Sequence, residues 1–460
     1  MALIAKPMSW TSYFSHVVTA VLASSLFILP AAAQSAAVGT TSEFRLENGL
    51  QVVLIADHRL PVVTHMVWYK AGSIDDPQGA SGLAHLLEHL MFKSYDAQSP
   101  EPYAETISRL GGVDNARTTH DSTYYFQRVA RENLKDVMQI EATRMSGLVL
   151  NEGEVKTERL VVREERRSNV EGDPVKLLTE QLYATLYQNH SYSRPPIGWP
   201  DEIVTLTPEQ ADAFYRRYYS PQNAFVIVAG DVTPAELREL AETTYGKVPK
   251  SDAVAERVRT TIPQPLAARR IVFNDPRTPR ATLFRYYLTP SYSTADAKEA
   301  ASLEVLATIL GEGEASRMHQ ELVSERKAAL AVGARYFGNG RDAGHLALFG
   351  LVAKPEQRQA FEEALDAVLA EIAKTGVTEE ELSRAKSQIE AKLVFERDNQ
   401  MKTAVRYGEG LSAGLTVEAI SKRPELLQSV TLDDVKVAAE RYLQARRSVT
   451  GLLLPAARGE

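Results

Sequence analysis

Apolar and polar residues alternate along this chain with two different periods, and the switches between them outline its elements. Apolar runs at 44–46 and 50–55 flank Asn48-Gly49, a dipeptide that supplies two positive-φ residues and predicts a tight hairpin. Further strands are expected at 62–69, 113–118 and 123–129. A helical period holds from about Gly82 to Phe92, and again through one long helical region from Glu132 to about Asn169. Thr207-Pro208-Glu209 and Thr233-Pro234 read as helix starts on either side of a strand at 224–228.

The plan then recurs. Thr207-Pro208-Glu209, Arg217-Tyr218-Tyr219 and a strand from Phe225 answer to Thr431-Leu432-Asp433, Arg441-Tyr442-Leu443 and a strand from Val449, all displaced by 224 positions. A period this long points to a duplicated domain rather than a solenoid. Between the copies, residues 251–267 carry Pro263 and Pro265 and little apolar periodicity, as a linker does. Thr378-Glu379-Glu380-Glu381 is a capping box that opens a long helix to about Arg397. Strands and helices lack the regular βαβ rhythm of a parallel sheet. The expected fold is therefore α+β: two related domains, 40–250 and 268–460, each a mixed, largely antiparallel sheet with helices on one face.

Residues 1–33 read as an export signal. Lys6 precedes an apolar run at 17–29, which ends at Pro30 and Ala31-Ala32-Ala33. Cleavage after Ala33 would give an exported, periplasmic chain with no stable membrane anchor, because the run is shorter than the roughly 20 residues a membrane span needs. Over all 460 residues the formal charge is −7, and no basic surface argues for nucleic acid. The chain has no cysteine. Disulfides, thiolate metal sites and cysteine catalysis are thereby excluded, leaving His and carboxylate as metal ligands.

The sharpest chemical signal is His85-Leu86-Leu87-Glu88-His89. On a helix the three polar side chains share one sector, with Leu83, Leu86, Leu87 and Leu90 around the rest. Two imidazoles one turn apart can share a metal, and the acid beside them can reach its water. A zinc site of this type needs a third protein ligand. Glu158 and Glu165 lie seven residues apart, on one face of a charged helix that could equally be a solvated one. His120 is a rival by spacing, although a His in a Thr-Thr-His-Asp-Ser turn is expected to be exposed.

His-x-x-Glu-His inverts the common zinc-protease motif, and the chain resembles the pitrilysin/insulinase family. The motifs run in order from about Phe44 to Pro455. They are Ser81-Gly82-Leu83-Ala84 before the HLLEH run, Gly111-Gly112 with Asn115-Ala116-x-Thr118, Glu158-Arg159 with Glu165, Pro196-x-Gly198-Trp199, and Tyr219-x-Pro221-x-Asn223. The resemblance implies a zinc endopeptidase with one Zn2+ per chain, held by His85, His89 and Glu165. The family's third ligand sits about 76 residues beyond the second His, which selects Glu165 over Glu164. It implies Glu88 as general base, Glu158 as an acid orienting the site, and Asn115, Ala116 and Thr118 as a sheet edge to which peptide substrates add. The second domain would be an inactive repeat. Family members also grip substrate with an Arg and a Tyr seven residues later, but Val323 and Leu330 stand at those positions here. The expected partner is accordingly a homologous subunit that lacks HxxEH and carries the Arg/Tyr pair. The alternatives are a homodimer and a non-catalytic scaffold subunit.

Overall fold

Parallel and antiparallel pairings occur in the same order in two separate sheets. The computed structural model describes residues 40–93, 103–251, 257 and 260–456, and the expected export signal lies outside them. The first sheet is built from β1 (Thr40–Arg45), β2 (Gln51–Ala56), β3 (Val62–Tyr69), β4 (Val113–Thr118), β5 (Thr123–Ala130) and β6 (Ala224–Gly230), in spatial order β1-β2-β6-β3-β5-β4. Only β2 and β6 run parallel; every other neighbour is antiparallel. Its helices are α1 (Leu83–Leu90), α2 (Tyr103–Arg109), α3 (Leu134–Gly147), α4 (Glu152–Arg166), α5 (Pro174–Leu186), α6 (Pro200–Ile203), α7 (Pro208–Tyr218) and α8 (Pro234–Thr243).

Residues 260–268 form neither helix nor strand. The second sheet then follows with β7 (Arg269–Asp275), β8 (Thr282–Thr289), β9 (Ala329–Phe337), β10 (Gly344–Val352) and β11 (Ser448–Pro455), in order β7-β11-β8-β10-β9. Its helices are α9 (Ala297–Gly311), α10 (Arg358–Thr375), α11 (Glu379–Arg397), α12 (Gln400–Ala413), α13 (Val417–Gln428) and α14 (Leu432–Tyr442). Here too a single pair, β7 and β11, is parallel. The 224-residue displacement holds at the starts of α7 and α14 and of β6 and β11, and both helices open on a capping box, Thr207 with Gln210 and Thr431 with Asp434.

Each sheet packs its own helices on one face. In the first, Val52, Leu54, Val63, Val67 and Tyr125 face Leu86, Leu87, Val137 and Phe214. The opposite face is covered by the other half of the chain. Val53, Met66, Trp68 and Phe225 meet Ala404, Tyr407, Leu411 and Ile420 on α12 and α13, while Leu178, Leu182 and Leu186 of α5 meet Leu288, Val449 and Leu453 of the second sheet. Burial on both faces is why β6 reads AFVIVAG, a continuous apolar run rather than an alternation. No helix among the described residues is long and apolar enough to cross a membrane.

Two local expectations are corrected. Gly49 has φ +95°, but Asn48 does not enter the positive region. Gly49 N–H donates to Leu46 O, and Leu46 N–H to Leu50 O, so the connection is a three-residue loop with Gly in the left-handed position. Asn48 is held by other demands: its buried Nδ2 donates to Tyr245 O and Val248 O. The long helical region is also broken, at residues 148–151. Leu148 is extended, with its N–H donated to Tyr215 Oη, and Asn151 caps the new helix by accepting from Gly153 N–H at 2.8 Å.

Candidate active site

Gly82, in the left-handed conformation at φ +89°, turns the chain into α1 and offers no side-chain cap. Asp76 supplies it instead, accepting Gly82 N–H and Ala84 N–H, each at 2.8 Å. The Pro196-x-Gly198-Trp199 segment seats this turn. Gly198 packs so closely that a Cβ there would lie 2.5 Å from Ser81 O and 2.7 Å from Gly82 Cα. Ser81 N–H reaches Glu202 at 2.7 Å, and Ser81 Oγ accepts Trp199 N–H at 2.9 Å. Buried Arg166, at the end of α4, donates to Gly198 O at 2.9 Å and to both oxygens of Glu180. One loop thus ties the start of α1 to the end of α4.

Between those two helices the candidate ligands converge. His89 Nε2 lies 3.2 Å and His85 Nε2 3.8 Å from Glu165 Oε2, and one ligand atom from each residue falls within 4.8 Å of the others. Tetrahedral zinc with bonds of about 2.05 Å sets its donors about 3.3 Å apart, so this set of two imidazoles and a carboxylate fits such an ion. Among the described residues no other group of His and acids is so arranged. Glu158 is buried; its Oε2 is 3.2 Å from His89 Nδ1, and its Oε1 3.0 Å from Lys93 Nζ. A carboxylate on the remote ring nitrogen fixes a ligating imidazole's tautomer and direction. The four side chains named from the sequence on α1 and α4 are therefore brought together with Glu88 beside them.

Electrostatics fit the same use. Burial, with the neighbouring His89 charge, pulls the His85 pKa down to about 4, leaving a neutral imidazole with a free lone pair. Burial also opposes charge on His89, but the hydrogen bond to Glu165 and the nearby acids outweigh it and raise its pKa. The hydrogen bond from His89 lowers that of Glu165. Glu88 is raised above the ordinary carboxylate value by burial, partly offset by a 2.5 Å hydrogen bond from Thr118 Oγ1.

Thr118 therefore touches Glu88, a contact the sequence did not disclose. Asn115 and Ala116 lie farther along β4, where Asn115 Oδ1 accepts Ala116 N–H at 2.8 Å. β4 pairs with β5 on one side and with no described strand on the other. His120 is not the exposed loop residue expected. It stacks on Tyr183 with ring centroids 5.8 Å apart, lies 3.3 Å from Arg194 O, and belongs to no ligand cluster. Val323 is half-buried against the second core, and Leu330 is exposed on β9. Asp76 and Arg166 were missed as site-building residues, since their partners lie 6–8 and 14–32 positions away and carry no local pattern.

Residues 51–198 match the family model described as insulinase (peptidase family M16), and residues 205–389 the model described as the peptidase M16 inactive domain. The chain is 29% identical over 421 residues to zinc protease PqqE of Helicobacter pylori, covering 89% of this chain and 92% of that one. The crystal structure of a protease from Helicobacter pylori superposes with TM-score 0.82 at 28% identity, over 91% of this chain and all of that one. The fold also recurs in the first half of the periplasmic protease PqqL of Escherichia coli, with TM-score 0.76 at 24% identity, over 90% and 92% of the two chains. Against whole PqqL the match covers 90% of this chain and 47% of that one. The chain belongs to the pitrilysin/insulinase family of peptidases, family M16.

Proposed function

We propose that the chain is a zinc-dependent endopeptidase. The observation that carries this reading is the convergence of His85, His89 and Glu165 through three donor atoms, with the raised-pKa carboxyl of Glu88 alongside. A bound zinc ion supplies Lewis acidity there, polarising the scissile carbonyl and bringing the pKa of water toward about 7. Glu88 acts as general base on the attacking water and passes the proton to the leaving amine. Burial has moved its pKa toward the working range such a shuttle needs. Thr118 holds that carboxylate in place, and Glu158 directs the His89 ring.

The substrate is a peptide or unfolded segment lying as an added strand on the outer edge of β4, along Asn115, Ala116 and Thr118, where backbone pairing gives affinity with little sequence demand. A two-sheet chain that matches half of PqqL supports a paired assembly around a chamber. The expected partner is a homologous subunit supplying the Arg and Tyr that Val323 and Leu330 replace here, with a homodimer as the alternative. Export to the periplasm accords with the periplasmic description of PqqL.

The test is metal content together with peptide cleavage, for the chain alone and with a candidate partner. About one zinc per chain and cleavage abolished by Glu88→Gln are expected. A chain that holds no zinc and cleaves nothing in either state is instead a non-catalytic scaffold.

A further inference from the structure

Asp114 stands on the strand that carries the proposed substrate edge, and no role above uses it. Along β4, Val113, Asn115 and Arg117 are exposed, whereas Asp114, Ala116 and Thr118 are half-buried and share one face. That is the catalytic face: Thr118 donates to Glu88, and Ala116 packs into the core beneath α1.

Asp114 pairs across the ladder with Gln127, which reaches Glu141 beside Arg144 of α3; Arg144 is fully buried, its guanidinium 4.1 Å from the Tyr103 ring centre and 4.9 Å from that of Tyr125. Arg144 donates to Glu141, which also accepts Gln127 Nε2 at 2.5 Å and Tyr103 Oη at 3.4 Å. Burial raises the Glu141 pKa, and the Arg144 charge with the hydrogen bonds from Gln127 and Tyr103 only partly offsets it. Asp114 is a second carboxylate facing the single Arg144 charge. Burial raises its pKa, and the attraction of Arg144 pulls it back. A cation beside it would therefore be favoured.

We propose that Asp114 is a specificity-determining residue that takes a Lys or Arg side chain of the bound peptide. This rests on the peptidase reading of the β4 edge. A peptide residue paired with Asp114 would place its Cβ about 5 Å away on the same face. Asp114 is four positions from Thr118, about 13 Å along the strand. The favoured basic residue accordingly lies about four residues from the bond cut beside Glu88, on one side only.

The test uses the zinc-loaded chain, with its partner if activity requires one, and peptides carrying Lys or Glu at each position in turn. The readout is the Lys-to-Glu ratio of kcat/KM within each variant, so a general loss of folding or activity cancels. Wild type is expected to prefer Lys roughly 5- to 30-fold at one position. Asp114→Asn should bring that ratio near one, and Asp114→Lys should invert it. Fluorescence anisotropy of the same labelled peptides reads the ratio in Kd without hydrolysis. An inactive wild type would thus count against the peptidase reading alone, while binding still decides this proposal. A wild-type ratio near one at every position, or a ratio unmoved by Asp114→Lys, overturns it.

Discussion

Gly198 is packed against Gly82 with no room for a single methyl group between them. Both residues sit at positive φ, +91° and +89°, which side-chain-bearing residues adopt only at a cost. The contact sets where α1 begins, and Arg166 links the same loop to α4, so the spacing between His85 and Glu165 depends on it. Gly198→Ala combines backbone strain with overpacking and should cost about 2–4 kcal/mol of stability. Zinc affinity, read by competition with a chromophoric chelator, should fall at least about tenfold. A variant that binds zinc as wild type does would show that the loop does not position the ligands.

Thr118 and Glu88 offer a test of the base. The hydroxyl donates to the carboxylate and lowers its pKa against the effect of burial. Thr118→Val keeps the shape and removes the donor, so the pKa of Glu88 rises further. The acid limb of the pH profile of kcat/KM should move to higher pH, while the alkaline limb stays in place. An acid limb that does not move would assign it to another group.

Helix α1 of the candidate site was legible because its signal is local: His85, Glu88 and His89 need only helical periodicity to share a face. The pair Glu158 and Glu165 was half-legible. Spacing placed both on one side of α4, but only the fold shows Glu158 buried against His89 rather than solvated. The break at 148–151 was hidden because apolar residues at 148–150 continue the helical pattern and outweigh the punctuation of Ser146-Gly147 and Asn151 on either side. His120 misled for a related reason. Its polar turn looks exposed, yet Tyr183 and Tyr192, more than sixty positions away, close over it. The exchange of α5 and α12 between the two sheets had no local signature at all, since an amphipathic helix does not record which sheet it covers.

That exchange makes Gly408 a sensitive position. It lies on α12 where a Cβ would fall 2.1 Å from the Trp68 ring, which stacks between Tyr124 and Phe225. Helix propensity alone would favour Ala by about 1 kcal/mol. Fixed ring packing should reverse the sign and make Gly408→Ala destabilising by about 1–3 kcal/mol. Urea denaturation followed by Trp fluorescence measures this, and a stabilised variant would mean that α12 can lift from the sheet without penalty.

Acid sensitivity follows from buried histidines, two of which lie away from the candidate metal site. Burial lowers the pKa of His65 to about 4 and that of His345 to about 3. Both fit the neutral form: His65 lies between Gln127 Oε1 and Tyr245 Oη, and His345 between Tyr187 Oη and Tyr183 Oη. In the unfolded chain each takes up a proton below about pH 6.5, whereas in the folded chain it does not until near its own lowered value. The unfolded state thus binds more protons across that window, and stability is lost as pH falls through it. Between pH 7 and pH 5 each residue should remove about 2 kcal/mol. Denaturation midpoints at the two pH values measure the slope. His65→Gln should lower stability at pH 7 yet remove about 2 kcal/mol of the loss between pH 7 and pH 5, and a slope as steep as wild type would place the titrating groups elsewhere.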